Sequence, residues 1–239
     1  MSIIKRPYLP EEDVSLFICD KSVADIKNSF SSYESKNVLK GINTHPDMSV
    51  CPLYDGDIIV SQESFEYYKQ LSTFGINVIK GENDIKKEYP LDIAFNAVLI
   101  SGILFHNLKY TDRGILNYCE KKGIRTVNVK QGYTKCSTLI VDEKSVVTCD
   151  KKLYQIYKEN GLDALLVDNK DIKINGFSHG FIGGCGGLIS KKTIGFFGDI
   201  TKYSDFNKLN NFIKEREVDY KILTPGHLFD YGSIIPLCT

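Results

Sequence analysis

Four stretches of the chain follow one grammar: an apolar strand, a tight turn, a second apolar strand, an amphipathic helix, then a third strand. The first joins MSVCPL (48–53) and DIIVS (57–61) to QESFEYYKQLSTF (62–74) and NVIKG (77–81). The second runs AFNAVLIS (94–101), ILFHN (103–107), TDRGILNYCEKKG (111–123) and RTVNV (125–129). The third is CSTLIVD (136–142), SVVTC (145–149), DKKLYQIYKENG (150–161) and ALLVD (164–168). The fourth is GCGGLIS (184–190), TIGFFGD (193–199), SDFNKLNNFIKERE (204–217) and YKILTP (220–225). A recurring supersecondary unit that cannot bury its own apolar face must stack on its neighbours, so the period constrains the whole architecture.

Local signals agree with this division. The strands are short and rich in Val, Ile and Leu, a pattern expected of strands with little solvent on either face. Leu153, Ile156 and Tyr157 in one helix, and Leu209, Phe212 and Ile213 in another, fall at three-and-four spacing. Gly75, Gly123 and Gly161 stand just past their helices, where a left-handed residue ends the last turn, and Asp150 stands at an N-cap.

A fifth unit is split between the termini. VSLFIC (14–19) reads as a second strand, followed by a helix through Val23, Ile26 and Phe30 and a third strand near Val38 and Leu39. Its first strand is supplied by SIIPL (233–237) at the other end of the chain. Second strands then begin near residues 14, 57, 103, 145 and 193, at intervals of 42–48 residues. Near-equal spacing with completion from the C-terminus implies a ring, which removes exposed sheet edges. The expected fold is a five-fold α/β propeller of ββαβ units closed by the C-terminal strand. It forms one domain over residues 1–239, with residues 1–13 as an exposed arm. An α/β sandwich with recurring elements is the competing architecture.

Composition narrows the function. Lys plus Arg equals Asp plus Glu at 30 each, so a surplus of positive charge for displacing nucleic-acid counterions is missing, and no nucleic-acid partner is expected. No apolar run reaches the length of a membrane span, and MSIIKRPYLPEED does not read as a secretory signal. Seven scattered cysteines without a CxxC pair fit free thiols in a reducing cytoplasm. The oligomeric state is not legible.

A ring of five ββαβ units resembles the pentein superfamily, which includes arginine and agmatine deiminases, dimethylarginine hydrolases, amidinotransferases and non-catalytic ribosome anti-association factors. The likeness covers about residues 14–237. QGYTKCSTLIVD and GFIGGCGG are also similar to a group of uncharacterised Firmicutes proteins of this architecture. The resemblance implies a cysteine thiolate attacking a guanidinium carbon, a histidine moving protons and carboxylates holding the cationic nitrogens. His179, in SHGFIGGCGG, matches the position of the family's histidine. The closing strand, where the nucleophile is expected, reads Gly232-Ser233-Ile234-Ile235-Pro236 and has no cysteine before Cys238.

The five inter-unit segments, GINTHPD, EYPLDIAFN, KQGYTKC, NGFSHGFIGG and PGHLFDYG, should converge near the axis. They gather His45, Asp47, Asp92, Gln131, Tyr133, Lys135, His179, His227 and Asp230. The expected catalytic set is His179 with Cys136 or Cys238. The expected ligand-binding set is His45, Asp47, Gln131, Tyr133, Lys135 and Asp230. Cys136 follows Lys135, whose ammonium would favour a thiolate; the competing reading is a buried inert thiol. His45-Pro46-Asp47 and Asp230 read equally as turn residues, His227 as a loop residue, and His106 as an exposed strand end.

Gly183-Gly184-Cys185-Gly186-Gly187 lacks the lysine and helix start of a phosphate loop, so it is read as close backbone approach. His45, Asp47, His179 and His227 lack diagnostic metal-ligand spacing, and neither metal nor cofactor is expected. Two functions remain open. One is a cysteine-dependent hydrolase or amidinotransferase-like enzyme acting on guanidine, amidine or related C–N bonds of a small polar or cationic ligand. The other is a non-catalytic protein of the same fold that binds a small polar ligand or a macromolecule.

Overall fold

The computed structural model describes all residues 1–239 as a mixed α/β fold built on five separate three-stranded sheets. The strands in chain order are β1 (Leu16–Cys19), β2 (Ser29–Ser31), β3 (Val50–Pro52), β4 (Asp57–Val60), β5 (Asn77–Lys80), β6 (Val98–Ile100), β7 (Ile103–His106) and β8 (Arg125–Asn128). They continue with β9 (Thr138–Ile140), β10 (Ser145–Thr148), β11 (Asp163–Leu166), β12 (Gly186–Ser190), β13 (Thr193–Phe197), β14 (Asp219–Thr224) and β15 (Ile235–Cys238). The helices are α1 (Phe65–Tyr68, extended by a 3-10 turn over Lys69–Phe74), α2 (Arg113–Lys122), α3 (Lys151–Glu159) and α4 (Phe206–Lys214).

Each sheet repeats one pairing. The middle strand runs antiparallel to the first and parallel to the third, as in β3-β4-β5, β6-β7-β8, β9-β10-β11 and β12-β13-β14. The parallel step needs a crossover, which α1 to α4 supply. The fifth sheet, β15-β1-β2, obeys the same rule with a strand from the far end of the chain, Phe17 opposite Pro236 and Ile18 opposite Ile235. Burial grades across every sheet. Residues of β3, β6 and β9 are all buried, whereas β5, β8 and β14 are largely solvated. The expectation of strands dry on both faces therefore holds for the first two strands of a unit and fails for the third, which is an outer edge.

The largest core joins side chains from all five sheets, including Ile18, Val60, Phe105, Val147, Phe196 and Ile235, with Leu153, Tyr157, Leu209 and Ile213 of the helices packed on it. Asp150 caps α3 by accepting from Lys152 N and Leu153 N, and Gly75, Gly123 and Gly161 all have positive φ at helix ends.

Two local expectations are corrected. The first unit has no helix through Val23, Ile26 and Phe30. Asp20 holds a single 3-10 turn over Lys21–Val23 by accepting from Ser22 N, and Asn28 at φ +72 donates to Val14 O. Ser22 N is given to Asp20, Ser29 Oγ to Ala24 O and Asn28 Nδ2 to Val14 O, bonds that favour turns over a helix, so the third strand forms early, at β2. Val38 packs in a smaller core cluster without strand pairing. The N-terminal segment is also not an exposed arm. Ile4 N donates to Leu237 O, Ile3 pairs with Cys238, and Ile4, Tyr8 and Leu9 are buried. The segment lies along β15, so its apolar residues have a place to go. No helix is long and apolar enough to cross a membrane.

Candidate functional site

Four of the five inter-unit segments line one cleft of about 200 Å³, and the remaining one, through Asn96 and Asp92, holds the walls. Its lining includes Ile42, His45 and Met48, then Tyr133 and Cys136, then Ile174, Phe177 to His179 and Phe181, then Asp230. At the floor one ligand atom each of His45, Cys136 and Asp230 lies within 4.8 Å of the other two, and all three residues are buried. These come from positions 45, 136 and 230, brought together only by the fold.

Local bonding explains how each is held. Asn96 is the tie: its Oδ1 accepts from Lys135 N at 2.8 Å and Cys136 N at 3.1 Å, while its Nδ2 donates to Asp47 O and approaches Cys136 Sγ at 3.3 Å. Asp230 accepts from Phe181 N at 2.8 Å and Gly232 N at 3.0 Å, which fixes its carboxylate against the backbone. His45 Nδ1 sits 3.7 Å from Asp230 Oδ1, too far for a hydrogen bond, and has no other partner although the ring is buried. Two glycines permit this crowding. A Cβ on Gly184 would lie 1.7 Å from Asp230 Oδ1, and one on Gly232, at φ +72, would meet His45 Cβ at 2.2 Å.

Behind Cys136 lies a buried polar chain. The thiol donates to Asp47 Oδ2 at 3.0 Å. The Ser233 hydroxyl lies 2.8 Å from both Asp47 Oδ2 and Gly183 O, and accepts from Lys135 Nζ at 2.9 Å. Lys135 also donates to Thr138 O and Gly183 O, so the ammonium is committed away from the thiol. Asp47 Oδ1 remains unpaired.

The electrostatics follow from burial. Desolvation pushes the Asp47 carboxyl up to about 6, against the pull of Lys135 and of its hydrogen-bond donors. Desolvation likewise raises Asp230 to about 6, with His45 opposing and Asp47 reinforcing the shift. Burial and then the two carboxylates hold the Cys136 thiol well above its ordinary value. The expected Lys135-stabilised thiolate is therefore corrected: adjacency in sequence does not bond the ammonium to the thiol, whose hydrogen-bond partner is the Asp47 carboxylate. Burial also lowers Lys135, with Asp47 as the compensating charge.

The native carboxyls titrate near 6 and unfolded ones near 3.8, so between these values the native state binds more protons and stability falls as pH rises. Urea unfolding at pH 4.5, 5.5 and 7 is expected to give a shallower fall for Asp230→Asn than for the unaltered chain. Parallel slopes would place the Asp230 titration elsewhere.

The other expected residues separate. Tyr133 lines the cleft and donates to Asp92 Oδ2 at 2.8 Å. His179 is exposed at the rim, with its Nδ1 2.8 Å from Asn169 Nδ2 and its ring edge-on to Phe181; the imidazole gathered with the thiol is His45. Gln131 lies outside, donating to Asp150 Oδ2 and accepting from Tyr133 N. Cys238 is in β15 within the main core. His227 is exposed. His106 is corrected from an exposed strand end to a fully buried ring, bonded to Thr111 Oγ1 and Gly132 O and lowered to about 4 by desolvation. Two residues of the site, Asn96 and Ser233, carry little to mark them in sequence. Asn96 only interrupts the apolar run from Ile93 to Ile100, and Ser233 only follows a glycine. The atoms able to hold a metal ion are those of His45, Cys136 and Asp230, not the histidines of the rim loops.

Comparison with solved structures gives the same fold at low identity. A cysteine-to-serine variant of DDAH from Pseudomonas aeruginosa, complexed with citrulline, superposes with a TM-score of 0.52 at 9% identity, covering 89% of this chain and 92% of that one. C. jejuni agmatine deiminase superposes at 0.53 with 8% identity, covering 93% and 91%. Both are pentein superfamily members, and what the chain shares with them is the fold. A search of curated proteins gives no significant match. A family model matches residues 21–235, nearly the whole chain, so the protein belongs to that family, described as a family of unknown function (DUF6873).

Proposed function

We propose that this protein is a cysteine-dependent enzyme acting on a C–N bond of a small guanidine or amidine, with Cys136 as nucleophile and His45 as proton carrier. The observation that carries the reading is the thiol, imidazole and carboxylate gathered within 4.8 Å at the floor of a cleft. The fold it has in common with a deiminase and with DDAH supports the same reaction class. We further take the five sheets as blades of one propeller domain over residues 1–239; the pairing of β15 with β1 supports it.

The chemistry is as follows. A guanidinium or amidinium seated against Asp230 brings positive charge beside Cys136, which offsets the two carboxylates and favours the thiolate. His45 takes the thiol proton. Sγ attacks the central carbon, forming an S–C bond; the C–N bond then breaks, and the leaving nitrogen receives the proton from His45. Water, deprotonated by His45, attacks the same carbon, and the S–C bond breaks to return the thiolate and a urea or amide. With an amine in place of water the same steps are an amidino transfer. Asp47 orients the thiol, and His179 stands at the entrance.

The alternative, a binding protein without chemistry, is favoured by the raised thiol and its hydrogen bond to Asp47. Alkylation separates the two. With a cationic alkylator, 2-chloroacetamidine, Cys136 is expected to react at least about tenfold faster than with neutral iodoacetamide, and His45→Ala to slow it by about 10²-fold. Release of ammonia or amine from guanidines is expected to vanish in Cys136→Ala. Slow, uniform labelling of all seven cysteines by both reagents would leave only the binding reading.

A further inference from the structure

Resting on the guanidine or amidine reading, we propose that the cation this cleft accepts carries an apolar or aromatic body and no carboxylate. An aryl- or alkyl-substituted guanidine or amidine fits, and a free amino acid does not.

The cleft holds its acids at one buried end and carbon surface over the rest of its lining. The floor is acidic and polar: Asp230 and Cys136 with His45, and Asp47 behind them with an unpaired buried oxygen. Ile42 and Met48 are buried beside these groups, and Ile174, Phe181, the ring of Tyr133 and Phe177 carry carbon surface outward to the exposed rim, where Ser178 and His179 stand. Tyr133 and Phe181 lie 6.4 Å apart at 35°, and Phe177 remains 42% exposed at the rim. Such rings offer faces to a flat or aliphatic body and to a delocalised cation.

No lysine or arginine lines this cleft. The nearby cation, Lys135, spends its donors on Thr138 O, Gly183 O and Ser233 Oγ. Phe181 N, a backbone donor beside the cleft, is already given to Asp230. His179 is the titratable ring at the rim, and Asn169 engages its Nδ1. A ligand carboxylate would therefore leave water for carbon walls, facing two buried acids, without a fixed cation to meet it. The ligand that matches is positive at one end and apolar at the other.

Calorimetric titration of the full chain at pH 7.5 tests this with benzylguanidine, methylguanidine and L-arginine. Benzylguanidine is expected to bind at least about tenfold more tightly than methylguanidine and about 100-fold more tightly than L-arginine. Phe177→Ala, at an exposed position, is expected to weaken benzylguanidine about fivefold more than it weakens methylguanidine, and equal weakening of both would overturn the role of the wall. L-Arginine binding as tightly as benzylguanidine would overturn the apolar-body inference and leave the guanidine reading standing. Absence of binding by all three guanidines would overturn both.

Discussion

Deleting residues 232–239 is expected to leave the chain unfolded at 25 °C. The segment carries Ile234, Ile235, Leu237 and Cys238, each at most 3% exposed. Burying one large aliphatic side chain contributes about 1.5–3 kcal/mol, so losing this set approaches the roughly 5–15 kcal/mol that holds a typical domain together. The damage spreads in both directions from β15. On one side β1 loses its antiparallel partner and becomes an open edge. On the other, Ser2 and Ile4 lose their backbone acceptors on Thr239 and Leu237, which frees the N-terminal segment and Tyr8. The deletion also takes Ser233, the hydroxyl between Lys135 and Asp47. Far-UV circular dichroism with a thermal melt reads the outcome. A truncated chain that melts at the unaltered temperature would end both the stabilising role of β15 and the proposed ring.

Lys135→Met is expected to cost about 3–5 kcal/mol at pH 7.5, the range for removing one partner of a buried charge pair. Methionine keeps the volume but strands three acceptors and removes the charge that offsets Asp47, a carboxylate with no exposure. The pH dependence distinguishes this from loss of packing. Because Asp47 is raised to about 6, it is largely neutral at pH 5, and the penalty there should shrink. Lys135→Met with Asp47→Asn is expected to recover most of the loss at pH 7.5. Urea unfolding of the four proteins at both pH values gives the coupling, and an equal penalty at pH 5 and 7.5 would assign the effect to packing alone.

Much of the candidate site was legible as a set of segments but not as a geometry. The five loops were recognisable by their histidines, acids and glycines between regular elements, and four of them do line the cleft. Within them, the sequence points to His179 as the proton carrier and gives His45 a binding or turn role. What separates them is that His45 precedes Pro46 on a buried turn beside Gly232, whereas His179 sits on an exposed loop tied to Asn169. Lys135 and Cys136 are adjacent in sequence, yet the ammonium turns toward Ser233 and the thiol toward Asp47. Asn96 and Ser233 had little local signal because their roles consist of bonds to residues 39 to 186 positions away.

By itself the sequence determined the repeating elements: β4, β7, β10 and β13 begin at Asp57, Ile103, Ser145 and Thr193, where the apolar runs begin, and α3 starts after Asp150. Those features depend on side-chain periodicity, caps and turns, whose interactions reach only three or four residues along the chain. It also determined that strand material for the first unit lay at the C-terminus. Only the tertiary structure decided the early β2, the burial of Ile4 and of residues 7–10, the burial of His106, and which histidine lies beside the thiol. Each of those depends on what surrounds a residue after packing: the surface left for Tyr8 to cover, the carbonyl offered to His106 by Gly132, the close approach that Gly184 and Gly232 allow. Desolvation and long-range contact set these outcomes, and neither is a property of neighbouring letters.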